Sequence, residues 1–179
     1  MRGVTLLEED QETVFLTWLR EHSSSVMKVA RAYAITDEEC QDLAQEILLQ
    51  AWRSLAKFEG RANAATWFYR VALNTAMNWQ RKDKTRRTKQ KPLIEVQAIP
   101  ARGDSSVEHA QQQDTVEKLY RAIHRLPKSD AALVLLYLDG LSYDEMSNVL
   151  GISKNNVGVK LSRAKKALGV QMEGETRGS

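Results

Sequence analysis

The sequence predicts an all-α protein of two small helical domains joined by a flexible linker, the C-terminal domain containing a helix-turn-helix. Three observations predict it. Apolar residues recur at helical spacing along most of the 179-residue chain, and strand-like alternation of Val, Ile and Thr is absent. Nine Gly and three Pro are few enough to leave long helices uninterrupted. In the middle, the run from Arg81 to Lys91 has no apolar residue, and Pro92, Pro100, Gly103 and Ser105-Ser106 follow it, a linker composition. These features divide the chain into a domain at 11–85, a linker at 86–112 and a second domain at 113–170.

Within the first domain, Val14, Phe15, Trp18, Leu19, Val26, Val29, Ala30 and Tyr33 give a helix over 11–34. Thr36 and Glu39 form a T-x-x-E capping box that opens the next helix. Its apolar face carries Leu43, Ala44, Ile47, Leu48, Ala51, Trp52 and Leu55. A loop at 57–63 contains Gly60, and a third helix runs from about Ala64 to Arg81, with Phe68, Ala72, Thr75, Ala76 and Trp79 as its buried stripe. Three such helices can share one core.

Periodicity resumes at Val116, Leu119, Tyr120, Ile123 and Leu126, and Pro127 stops that helix. Ser129 starts the next, carrying Ala132, Leu133, Leu135, Leu136 and Leu138, and Gly140 stands where a left-handed cap belongs. Ser142 and Glu145 form a second capping box, Gly151 makes a turn, and Ser153 caps a last helix to about Leu168, leaving a frayed tail.

The charge is uneven. Residues 1–60 hold 6 Lys/Arg against 11 Asp/Glu, a net of −5, so the remainder of a +3 chain carries +8. The basic part suits nucleic acid and the acidic part a protein partner. With one cysteine, Cys40, neither an internal disulfide nor a Cys-based zinc site is possible; its helical position suggests a structural thiol rather than a redox sensor. Met1 to Gln11 lacks a signal-peptide core, and no window nears the roughly 18 apolar residues of a membrane span. A cytoplasmic protein without membrane insertion is expected. His22, His109 and His124 lie in separate segments, and no phosphate loop, nucleophile elbow or H-x-x-x-H pair occurs. The sequence therefore points to no catalytic residue, metal or cofactor.

Leu141 to Leu168 reads as helix, tight turn, helix, the arrangement in which the second helix enters the major groove of DNA. Val157, Leu161, Ala164 and Leu168 share the inward face. Asn155, Val159, Ser162 and Lys166 face the other way, flanked by Lys154, Asn156, Lys160 and Arg163. Lys154 to Lys166 holds five basic residues and no acidic one. Asn can pair with adenine, Arg or Lys with guanine, and the remaining cations can neutralise phosphates. A solvated basic face on a helical hairpin would show the same pattern.

Three blocks, in order, resemble one family. They are Asp42-Leu43-Ala44-Gln45-Glu46 through Trp52; Phe58-Glu59-Gly60-Arg61 followed by Thr66-Trp67-Phe68-Tyr69-Arg70 through Asn74; and Leu126-Pro127, Gly140-Leu141-Ser142-Tyr143-Asp144-Glu145 and Gly151-Ile152-Ser153. Together they resemble the extracytoplasmic-function sigma factors of bacteria over nearly all of residues 11–168. The resemblance implies that the first domain binds core RNA polymerase and a melted minus-ten element, that the second reads a duplex minus-thirty-five element, and that the clamp of β′ and the flap of β are the polymerase surfaces. It also implies an anti-sigma partner.

On that resemblance, Asp42, Gln45, Glu46 and Leu49 fall on the polymerase surface; at i, i+3, i+4 and i+7 they share one helix edge. Arg61, Asn63, Trp67, Arg70, Asn74 and Asn78 fall on the minus-ten reader, where Asn74 and Asn78 lie one turn apart and Arg81 could also hold a phosphate. Trp67 could instead be core, a reading the pattern favours over direct stacking. Lys154, Asn155, Asn156, Val159, Lys160, Ser162, Arg163 and Lys166 fall on the minus-thirty-five reader. The chain departs from the family at Gly158-Val159, where many members have Arg-Ser, so the family's promoter preference does not transfer. Val159 could touch a thymine methyl. The alternative reading is a stand-alone helix-turn-helix regulator that binds duplex without polymerase, for which no dimerisation seam is visible.

Overall fold

A computed structural model describes residues 8–87 and 107–177. Seven α-helices make up the regular structure of those residues: α1 (Glu8–Tyr33), α2 (Asp37–Leu55), α3 (Ala64–Arg87), α4 (Val107–His124), α5 (Lys128–Leu138), α6 (Tyr143–Leu150) and α7 (Lys154–Arg177). The chain divides into two units, residues 1–91 and 92–179. Most of the linker expected at 86–112 lies outside the described residues. Its two ends do not: 86–87 belong to α3 and 107–112 to α4.

In the first unit α1, α2 and α3 each pack against the other two. Val29, Ala30, Leu43, Ile47, Ala51, Leu55, Phe68, Ala72 and Ala76 are buried, as their spacing predicts. Around this core lies an aromatic cluster. The Trp18 ring meets Phe58, Trp67 and Phe68 at centroid distances of 5.0, 5.5 and 6.3 Å. Trp67 also meets Phe58 and Phe68 edge-on, at 5.6 and 5.2 Å. Edge-to-face geometry sets the positive rim of one ring on the negative face of the next. Trp67 is thereby a core residue, 9% exposed. This corrects its assignment to the DNA-reading face, because rings from α1 and from the loop before α3 occupy the space a stacked base would need.

Local signals set the ends of these helices. Thr36 Oγ1 accepts from the Glu39 N–H at 3.1 Å, but the Glu39 carboxylate reaches back to the Ile35 N–H at 2.8 Å rather than to that of Thr36. The expected box is therefore shifted by one residue on its return arm. Asn63 caps α3, its Oδ1 accepting from the Thr66 N–H at 2.7 Å. Gln80 Nε2 donates to the Tyr33 carbonyl at 2.8 Å, tying α3 to the end of α1.

In the second unit α7 packs against α4, α5 and α6 alike. Helix α5 is buried all round from Ala131 to Leu136, the pattern of a helix enclosed by others. It begins at Lys128, one residue before the expected Ser129, with the Pro127 carbonyl accepting from the N–H groups of Asp130 and Ala131 at 2.9 Å. Its far end closes as a Schellman motif: Leu141 N–H donates to the Leu136 carbonyl and Gly140 N–H to that of Tyr137. Gly140 and Gly151 sit at φ of 79° and 67°, where a side chain would be strained. Both arms of the Ser142–Glu145 box form, at 2.7 and 3.2 Å. Ser153 Oγ accepts from the Asn156 N–H at 3.2 Å and starts α7, which continues to Arg177 rather than fraying after Leu168.

Cys40 is half-buried in the first turn of α2. Burial, then the Asp37 carboxylate, push its thiol pKa up against a smaller opposing effect of Arg31. Less thiolate exists at any given pH than for a free cysteine, so the alkylation rate of Cys40 should rise through its midpoint at a higher pH than that of free cysteine. A midpoint at or below that of free cysteine contradicts this environment. Trp67→Ala should cost about 3–5 kcal/mol of unfolding free energy, measured by urea titration. A loss under about 1 kcal/mol would show that the aromatic cluster does not hold α3 in place.

Candidate nucleic-acid interface

The inward stripe of α2, Leu43, Ile47 and Ala51, leaves the opposite edge outside. Asp42, Gln45 and Leu49 are exposed there, and Glu46 is half-buried. Two large apolar side chains stand on this edge, Leu49 at 42% and Trp52 at 37% exposure. Trp52, expected in the core, instead continues the stripe at i+3 from Leu49, its ring edge-on to Phe15 at 5.2 Å. The signal that points to it is the spacing itself, since 42, 45, 49 and 52 follow one face. The edge thus combines acidic, amide and apolar groups.

Glu46 borders that edge on the side of α3. Its Oε1 accepts from Gln50 Nε2 at 2.8 Å, and both line an open cleft between α2 and α3. Asn74 and Asn78 line the same cleft of ≈ 480 Å³, with Trp79 and Lys82 further along α3. Both asparagines are exposed. Trp79 is half-buried in the cleft wall rather than in the core, where its spacing suggests it. The aromatic beside the asparagines is therefore Trp79, not Trp67. An amide pair, a carboxylate, an ammonium group and an indole can together receive a flat polar ring by hydrogen bonding and stacking.

The other residues of this group lie apart from the cleft lining. Arg61 is exposed and pairs with Glu59 at 2.8 Å. Asn63 is exposed but its carbonyl oxygen holds the start of α3. Arg70 and Arg81 are exposed along α3.

Helix α7 separates its faces as the wheel predicts. Val157, Leu161 and Ala164 are fully buried, and Leu168 is half-buried. Lys154, Asn155, Asn156, Val159, Lys160, Ser162, Arg163 and Lys166 are all exposed. Lys154 Nζ lies 2.9 Å from Asp144 Oδ2 and ties the first turn of α7 to that of α6; an exposed pair of this kind is worth little in stability. Lys165 stands over the Tyr137 ring, 4.3 Å from its centroid. Gly158 is half-buried beside Tyr143 of α6. The result is a cationic and amide-bearing helix face set on a base of three helices, α4, α5 and α6.

Among the described residues no group of His, Cys, Asp and Glu could hold a metal ion. None of the described helices is long and apolar enough to cross a membrane.

Residues 8–87 match the family model described as Sigma-70 region 2, and residues 116–168 match that described as Sigma-70, region 4. The RNA polymerase sigma-H factor of Pseudomonas aeruginosa is 33% identical over 142 residues, spanning 73% of this chain and 72% of that protein. The ECF RNA polymerase sigma-E factor of Haemophilus influenzae is 24% identical over 176 residues, spanning 92% and 90% of the two chains. Among solved structures, the sigma factor RpoE in complex with the anti-sigma factor NepR, from Bartonella quintana, aligns with a TM-score of 0.71 at 20% identity, over 89% of this chain and 96% of that one. CnrH in complex with the cytosolic domain of CnrY aligns at 0.60, also at 20% identity, over 91% of this chain and 90% of that one. The chain belongs to the extracytoplasmic-function group of the sigma-70 family and is an RNA polymerase sigma factor, a protein that directs transcription initiation.

Proposed function

We propose that the chain divides this task among three surfaces. The α2 edge, Asp42, Gln45, Glu46 and Leu49 with Trp52 added, binds the β′ clamp of core polymerase. The α2–α3 cleft, through Asn74 and Asn78, holds a base of the melted minus-ten strand. The outward face of α7 reads the duplex minus-thirty-five element, while the second unit also meets the β flap. The cell compartment is the cytoplasm, where core polymerase works.

One observation carries the reading: α7 buries one stripe completely and exposes, on the opposite side, a face with amides and five cations and no acid between Lys154 and Lys166. A hairpin with no ligand gains nothing from so one-signed a face, whereas a polyanion does. The cleft supports the second surface. Taking a base out of the stack costs a few kcal/mol, which amide contacts and stacking on Trp79 can offset, at about 1–3 kcal/mol per stacked base. The acidic front half and the apolar Leu49 and Trp52 support the first. Arg61, Asn63, Arg70 and Arg81 would then guide the strand's phosphates near the cleft. A stand-alone regulator gives no account of the first unit, which matches Sigma-70 region 2 throughout.

An anti-sigma protein is the further partner we propose. Two solved structures of the same fold are complexes, one of RpoE with the anti-sigma factor NepR and one of CnrH with the cytosolic domain of CnrY. The exposed apolar residues on the α2 edge give such a protein something to cover.

Purified with core polymerase, the chain should co-elute on gel filtration and support initiation at its own promoters. Failure to associate with core polymerase would overturn the proposal. The double change Asn74→Ala and Asn78→Ala should leave core binding and urea stability intact but reduce strand opening, read by permanganate reactivity, at least about tenfold, the equivalent of one stacked or hydrogen-bonded base. Lys160→Ala or Arg163→Ala should lower the salt dependence of upstream duplex binding by about one unit of log–log slope for each phosphate left without its cation. An unchanged slope in both variants would remove these residues from the interface.

A further inference from the structure

The middle of α7 holds two residues that no packing requirement of the protein explains. Val159 is the one apolar side chain between Lys154 and Lys166 that is exposed, at 46%. It stands at the centre of the outward stripe, with Asn155 one turn before it and Ser162 one turn after. A β-branched residue there lowers helix propensity and is left about half exposed. Gly158, beside it, weakens the helix further, by about 1 kcal/mol relative to Ala. The protein's own packing does not require that glycine. A Cβ added at 158 would lie 3.5 Å from Cε2 of the Tyr143 ring, an ordinary contact. A long side chain at 158 would have to pass that ring, which is itself 41% exposed. The consequence is a gap in the cationic face: no long donor grows from 158, and the valine methyls stand uncovered next to it.

In the major groove thymine alone presents a methyl group, at C5, and an apolar contact is what distinguishes it. Resting on the reading of α7 as the duplex-contacting helix, we propose that Val159 reads the C5-methyl of one thymine in the upstream element, and that Gly158 keeps any long polar side chain from competing for that base edge. Asn155, Ser162 and Lys166 then contact the neighbouring bases and phosphates along the same stripe. The part of promoter choice written at this pair is thus apolar, unlike the charge-based remainder of the face.

Deoxyuridine tests this, because it differs from thymidine only by the methyl. Holoenzyme assembled from the full chain and core polymerase is first used to select an upstream element from a randomised library. Each thymine of that element is then replaced singly by deoxyuridine. One replacement should weaken holoenzyme binding roughly fourfold, the worth of removing one methyl-sized group from water, and the others should have no effect. Val159→Ser removes both methyls and leaves a hydroxyl, and should abolish the difference at that position. Val159→Ile should keep it. Gly158→Ala should keep it too, while raising the melting temperature of the second unit. An element without a T·A pair, indifference to deoxyuridine at every position, or an undiminished thymine preference in Val159→Ser would overturn the assignment. Initiation with no upstream element selected at all would instead overturn the reading of α7 on which it rests.

Discussion

Everything on the surface of this protein depends on the burial of one stripe per helix. With 3.6 residues per turn, a helix that buries Leu43, Ile47 and Ala51, or Val157, Leu161 and Ala164, has no freedom left about which residues face out. The α2 edge and the α7 face are therefore consequences of core packing, and their rotational setting is as rigid as the core beneath. Each buried aliphatic side chain contributes about 1.5–3 kcal/mol, far more than any exposed ion pair such as Lys154–Asp144. Apolar contacts hold the α2 edge and the α7 face in place.

The two units use this constraint differently. In the first, rings from α1, α3 and the loop before α3 close over the start of α3, and the cleft opens further along it, from Val71 to Lys82. In the second, α7 is the helix all the others touch, so its outward face is supported along its length. A cleft suits an object that inserts, such as an unstacked base, and a supported convex face suits a groove. That difference in shape follows from where the large aromatic residues fall in the sequence.

Much of this is legible in the sequence, and the exceptions have physical causes. Capping residues such as Ser142, Glu145 and Gly151 act locally and read directly from the chain. The extensions of α3 past Arg81 and of α7 past Leu168 do not, because neither carries an apolar stripe that leaves a periodic signal, and Gly169 and Gly174 argue locally against a helix. Trp67 is instructive. It lies seven residues from Asn74, on nearly the same side of α3, yet one is buried and the other exposed. Periodicity gives the face of a helix but not which stretch of that face a neighbour covers, and here the cover comes from Trp18, far away in sequence, and from Phe58 in the loop before α3. Trp52 and Trp79 depart from expectation for the same reason, as aromatic residues at the margin of a stripe. The polar site residues follow expectation more closely, since exposure is what their chemistry already requires.

The central claim is that one chain reads single-stranded and double-stranded DNA with separate surfaces. It is tested most directly by site-specific photocrosslinking from positions 78 and 162 in the complete promoter complex. The account predicts that position 162 crosslinks to upstream DNA both before and after strand opening, and that position 78 crosslinks to the minus-ten strand only once the duplex has melted. Equal crosslinking from position 78 to closed duplex, or disappearance of the crosslink from position 162 on opening, would contradict it.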